Sequence, residues 1–200
     1  MPPIKQEAIG QGIIAWLGIN REGHPFSLQQ PDIDIVADGI AGDKYRGIWR
    51  KLGAHDGDYV ATDGVGFGDQ ALNLRQITIV DTSEVMQAAK AAGVSIDCGM
   101  LRENIVVRFE PLAGIAFSKL PPLSRMVIGD SQPKVLIITE ENGPCAKIAK
   151  PIARENGNES RHPAIRDALR NHRGQMAMVR SFKSVTVHVG TSFLVYPPLT

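Results

Sequence analysis

The chain is poor in cysteine, with two in 200 residues, and poor in long apolar runs. Cys98 and Cys145 stand in unlike contexts, without the spacing of a thiolate metal site, a usage that suits a reducing compartment. The five histidines form no HxxxH-type or cysteine-paired pattern. The opening residues, MPPIKQEAIGQGIIAWLGI, lack the apolar core of a secretion signal, and the stretch from Ile13 to Ile19 is too short to span a bilayer. An excess of one charge is missing too: 22 basic residues face 21 acidic ones. A domain-wide pull on nucleic acid or an acidic membrane is thereby excluded, although a local basic pocket is not. With no proline- or serine-rich linker, residues 1–200 read as one cytoplasmic domain with a core from about 12 to 196.

What the chain does have is short apolar runs bounded by turn residues. They are GIIAWLGI from Gly12, IDIV from Ile33, QITIV from Gln76, NIVVRF from Asn104, RMVI from Arg125, KVLIIT from Lys134, QMAMV from Gln175, SVTVHV from Ser184 and FLVY from Phe193. Most run four to eight residues and are rich in Val, Ile, Thr or aromatics, the mark of strands. About nine strands without regular helical crossovers favour a mainly β, barrel-like fold, since closure hides sheet edges best. Ile128-Gly129-Asp130-Ser131 and Val189-Gly190-Thr191-Ser192 are expected hairpin turns.

Two or three short helices should flank this barrel. One opens at Asp81, with Glu84 placed as in a capping box and Gly93 as the stop, and Val85, Ala89 and Ala92 repeat along it. Another opens at Pro163 and presents Ile165, Ala168 and Leu169. The stretches 50–75 and 153–162 read as loops, the first long enough for a lid or binding loop.

The stretch KVLIITEENGPCAKIAK carries the most chemistry. A strand ends near Thr139, and Gly143-Pro144 then places Cys145 in the first turn of a helix. Unpaired amides there favour negative charge, and Lys147 and Lys150 could add cations, conditions under which cysteines ionise more readily. Local sequence leaves a second reading open, that of a small buried residue at a strand–helix corner. Cys98 reads as structural. In Gly39-Ile40-Ala41-Gly42-Asp43-Lys44-Tyr45-Arg46-Gly47, Asp43 can fold the turn onto its own backbone, while Lys44 and Arg46 can bind an anion. Such a turn is equally a solvated surface loop. Arg102 and Asn104, at alternate positions before a strand, can project from one side.

Taken in order, these segments resemble the MOSC domain, named for the C-terminal domain of molybdenum cofactor sulfurase. The resemblance rests on Gly39-Ile40-Ala41-Gly42-Asp43-Lys44, on Arg75-Gln76-Ile77-Thr78-Ile79-Val80 with Glu84, on Arg102-Glu103-Asn104-Ile105 and on Gly143-Pro144-Cys145. Arg173-Gly174 followed by QMAMV resembles the family's last strands, so the likeness runs from about Gly12 to Tyr196. It implies a β-rich barrel in which Cys145 ligates molybdenum or carries sulfur. The implied cofactor-binding set is Asp43, Lys44, Arg46, Arg102, Asn104 and Gly143, with the basic residues on the phosphate and pterin of a molybdopterin-type cofactor. Related members reduce N-hydroxylated compounds such as amidoximes and hydroxylaminopurines.

The chain departs from the pattern where the family commonly has arginine, at Lys44 and at Asn142, three residues before the thiol. Neither a pyridoxal-phosphate desulfurase domain nor a ferredoxin-type cysteine cluster is present, so electrons or sulfur must come from a separate donor protein. The leading expectation is a molybdenum-cofactor reductase of a small-molecule substrate. The alternatives are a persulfide carrier using Cys145 and a non-catalytic barrel that binds an anionic metabolite or a partner protein. A dimer through free sheet edges stays open.

Overall fold

A computed structural model describes residues 6–52, 68–129, 133–181 and 183–199. In chain order the strands are β1 (Gly10–Ile19), β2 (Leu28–Gln29), β3 (Asp32–Val36), β4 (Gly39–Ile40), β5 (Trp49–Lys51), β6 (Gln70–Leu72) and β7 (Ile77–Asp81). They continue with β8 (Ile105–Pro111), β9 (Arg125–Ile128), β10 (Lys134–Glu141), β11 (Gln175–Val179), β12 (Val185–His188) and β13 (Ser192–Tyr196). All nine apolar runs are strands, and four shorter ones of two or three residues join them.

Seven strands close a barrel in the order β13-β9-β10-β11-β7-β8-β1, with β13 returning to pair antiparallel with β1. The closure continues outward, where Ile9 N donates to Val195 O at 2.8 Å and Gln6 Nε2 to Pro198 O at 3.1 Å. Burial alternates along β10, β11 and β13, so one face of each fills the interior. Ile14, Ile77, Ile79, Ile105, Met126, Leu136, Ala177 and Phe193 belong to that core. All pairings in the barrel are antiparallel except β7 with β8. A parallel pair needs a crossover, and a helix supplies it.

That helix, α1 (Thr82–Ala92), begins and ends as its sequence predicts. Asp81 accepts from the amides of Ser83 and Glu84, and Gly93 closes it at φ 61°. Glu84 does not complete the capping box: its Oε1 accepts from Ser118 N and Oγ, both at 2.9 Å. The most buried line on α1 is Glu84, Ala88 and Ala92, one residue round from the expected stripe. Helix α3 (His162–Ala168) packs beside it, and α2 (Ala146–Glu155) packs against α3. Together they cover the outer face of the barrel through Val80, Val106, Ile148, Ile152, Ile165 and Leu169. A register shift in β1 between Ile14 and Trp16 lets Trp16 serve this outer cluster while Ile14 serves the inner one.

Three expectations are corrected. Val189-Gly190-Thr191-Ser192 is not a hairpin, because β12 pairs with β3 whereas β13 joins the barrel. The turn docks on β1 instead, Gly190 N donating to Ile14 O and Ile14 N to Thr191 O. The other expected hairpin does pair β9 with β10, although Asp130 and Ser131 lie outside the described residues. The stretch 153–162 is mostly helical, because Ile152 and Ala153 extend the buried stripe of α2. Within 50–75, β5 and β6 form a two-stranded ribbon, and the lid reading of residues 53–67 falls outside the described residues.

Candidate functional site

A cavity of about 680 Å³ opens against the outer face of β7 and β11, where Thr78 and Met176 alternate with core residues. Its size is that of a small-molecule site. The turn after β4 lends it Lys44, Tyr45 and Arg46, and β5 lends Trp49. Arg102 comes from the turn before β8, Arg173 from the residues before β11, Asn142 to Cys145 from the link between β10 and α2, and Lys147 and Ile148 from the first turn of α2.

Among the described residues the lining is strongly basic: Lys44, Arg46, Arg50, Arg75, Arg102, Lys147 and Arg173 face one carboxylate, Glu141. Two of these cations are matched elsewhere, Arg46 by Asp38 at 2.8 Å and Arg75 by Glu140. Lys44, Arg102 and Arg173 have no carboxylate at ion-pair distance among the described residues. The Lys44 ammonium lies 5.1 Å from the centre of the Tyr45 ring, and Arg102 Nε donates to Pro25 O at 2.8 Å. Such a surplus of cations attracts anions into the cleft.

Cys145 is half-buried in this wall and free of any disulfide. It sits one step earlier than its sequence suggests, as the N-cap of α2 with extended backbone (φ −141°, ψ 152°), and Pro144 therefore precedes the helix. The position of the helix follows from its buried stripe, Ile148, Ala149, Ile152 and Ala153. Arg173 Nη1 donates to Gly143 O and lies 3.7 Å from the Cys145 sulfur. Burial pushes the Arg173 guanidinium below its ordinary value, while Cys145 and Tyr45 oppose that shift and Arg102 adds to it. Lys147 lines the cavity, but Lys150 faces solvent.

Of the expected site residues, Cys145, Lys44, Arg46, Arg102 and Gly143 meet here. Asp43 and Asn104 do not line the cavity; they hold it up. Asp43 Oδ2 accepts from Asn20 N at 2.6 Å, Asn20 Nδ2 at 3.2 Å and Asn104 Nδ2 at 2.6 Å, and its Oδ1 from Tyr45 N at 2.8 Å. Asn104 Oδ1 also accepts from Thr78 N at 3.0 Å. This node ties the Lys44 turn to the ends of β1, β7 and β8. Asn104 and Arg102 do not project from one side, because Arg102 lies in a turn at φ 60°, where strand alternation does not apply. That conformation is strained for a non-glycine residue.

Glu103 secures the same turn, accepting from Gly99 N at 2.5 Å and Leu101 N at 3.0 Å. Burial raises its carboxyl to about 7 against the pull of those amides and of Arg173. Cys98 is exposed, and partial desolvation by its neighbours together with the charges of Glu103 and Asp97 pushes its thiol up. Arg173 is the site residue that sequence reasoning missed. The visible signal was a basic side chain immediately before a glycine and a strand.

Comparison with known proteins agrees with this layout. The YuaD protein from Bacillus subtilis superimposes with a TM-score of 0.82 at 22% identity, covering 97% of this chain and 100% of that one. A crystal structure described as that of a hypothetical protein gives 0.53 at 10% identity over 96% of this chain and 69% of its own. YiiM from Geobacillus stearothermophilus gives 0.48 at 11% identity over 95% and 74%. At such identities the first two likenesses speak for the fold alone. No curated protein matches the sequence significantly. The family model for the MOSC domain, however, matches residues 62–193, well over half the chain, and takes in both the Arg102 turn and the Cys145 loop. This chain therefore belongs to the MOSC domain family, which is associated with the molybdenum cofactor.

Proposed function

We propose that the cavity holds a molybdenum cofactor with Cys145 as the protein's ligand to the metal, and that the protein reduces N-hydroxylated small molecules. The observation that carries this reading is the Arg173 guanidinium beside the Cys145 sulfur in a cavity also lined by Lys44 and Arg102. The residues fit such a group. A thiolate is the soft donor that a sulfur-ligated metal takes. Among the described residues no cluster of three or more His, Cys, Asp or Glu competes as a metal site, so a metal here would need ligands from its own organic partner.

When bound, the group supplies the two-electron oxygen-transfer chemistry. The chain supplies the grip. Lys44 and Arg102 hold the phosphate and pterin, while Arg173 balances negative charge at the sulfur and fixes its loop through Gly143. Arg46 contributes less, its charge being matched by Asp38. Asp43 and Asn104 act through the turns they brace. A separate protein delivers electrons. No described helix is long and apolar enough to cross a membrane.

The test is expression in a host that makes the cofactor, followed by molybdenum and pterin analysis. Wild type should retain both and Cys145→Ala should retain far less metal; equal metal in the two proteins sinks the reading. A persulfide carrier is the second reading, favoured by the same Arg173 contact, which would balance charge on a terminal sulfur. Incubation with a cysteine desulfurase and mass spectrometry decides it: absence of an adduct on Cys145 removes it.

A further inference from the structure

Hydrogen-bond donors left unmatched next to the thiol mark a feature that the cofactor reading does not use. Asn142 is 3% exposed and lines the cavity, yet its Nδ2 has no hydrogen-bond partner among the described residues. Arg173 Nε is equally unmatched among the described residues, although the same guanidinium reaches Gly143 O and the Cys145 sulfur. The N-terminus of α2, with Cys145 at its N-cap position, has no side-chain cap and no acidic residue in its first turn. A buried donor without an acceptor is destabilising, so two on one wall call for an explanation. All are donors. Their missing partner must present acceptor atoms, and the positive helix end adds that it is negatively charged.

We propose that Asn142, Arg173 and the first amides of α2 form a subsite beside the Cys145 sulfur that takes a small oxyanion. Asn142 is its specificity-determining residue. Its amide has a broad terminal torsion and turns toward the cavity at little cost. A neutral amide here donates hydrogen bonds without adding charge, so Asn142 selects a ligand by the placement of its acceptor atoms, while Arg173 beside the sulfur and Lys147 on the same lining supply positive charge. The role of the subsite in turnover rests on the cofactor reading; the subsite itself does not.

Metal-free protein carrying Cys98→Ser tests this, because alkylation by the neutral reagent iodoacetamide then reports Cys145 alone. Nitrate should slow alkylation saturably, whereas chloride at equal ionic strength should not. Asn142→Leu removes the donor and should raise the half-protecting nitrate concentration roughly tenfold, the loss expected for a hydrogen bond to a charged group. Asn142→Asp keeps the shape but opposes the anion, and should abolish protection. Unsaturable or chloride-like protection in the Asn142 protein overturns the proposal, as does equal nitrate protection in the variants. Molybdenum content is a separate readout, so failure here leaves the cofactor reading standing, and loss of metal binding leaves this subsite standing.

Discussion

Two polar regions meet at the cavity, and they are built on opposite terms. Around Asp43 every carboxylate oxygen is used: four donors from Asn20, Asn104 and Tyr45 converge on it, out of reach of water. Around Cys145, itself half-buried, the buried donors Asn142 Nδ2 and Arg173 Nε have no partner among the described residues. A saturated network fixes geometry, whereas an unsaturated one is a place for something to arrive. Both regions carry motifs of the family, so the motif alone does not tell a brace from a contact. Hydrogen-bond accounting does.

The comparison breaks hardest at Asp43. Asp43→Ala strands several buried donors at once and should cost about 3 kcal/mol or more, read as a fall in urea midpoint. If Asp43→Ala keeps wild-type stability, the turn is not braced as described. Cys145→Ala, by contrast, should leave the midpoint within about 1 kcal/mol while removing the thiol.

Glu103 sharpens the contrast through pH. Its carboxyl titrates near 7 in the folded chain against 4.5 when unperturbed, so between those values the folded state binds more protons than the unfolded one. Stability from this group is therefore full below 4.5 and is lost as pH rises toward about 7. Glu103→Gln should flatten that slope in urea midpoints measured at the two ends of the window. An unchanged slope assigns the pH dependence elsewhere.

At the open wall, Arg173→Gln should lower retention of a molybdenum–pterin group severalfold while changing the urea midpoint little. A large stability loss with retention unaffected would make Arg173 a second brace. The smallest effect belongs to Arg46→Ala, where an exposed pair with Asp38 is lost, at under about 1 kcal/mol. A large drop in anion affinity there would reverse the ranking of Lys44 and Arg46.

Legibility followed physical range. The nine long strands were readable because β-branched runs and turn residues are local signals, and α1 was readable from Asp81 and Gly93 because caps are local too. Strands β2, β4, β5 and β6 are too short to carry a pattern, and their pairing is decided by the tertiary fold. Cys145, Lys44 and Arg102 were readable through their motifs. Asp43 and Asn104 were read as contacts because an acid or amide in a glycine-rich turn looks the same whether it faces a ligand or the interior. Arg173 stayed hidden for the opposite reason. Its meeting with the sulfur depends on the pairing of β10 with β11, which brings residues 28 apart in sequence together.

The pairing of β13 with β1 has a practical meaning beyond the barrel. Gln6 and Pro198 are neighbours, so the chain leaves the domain almost where it came in. Such a unit can be spliced into a surface loop of a host protein, or recut so that new ends fall elsewhere, without pulling its first and last strands apart. Joining the old ends by a short linker and opening the chain at another turn would yield a permuted protein with the same cleft.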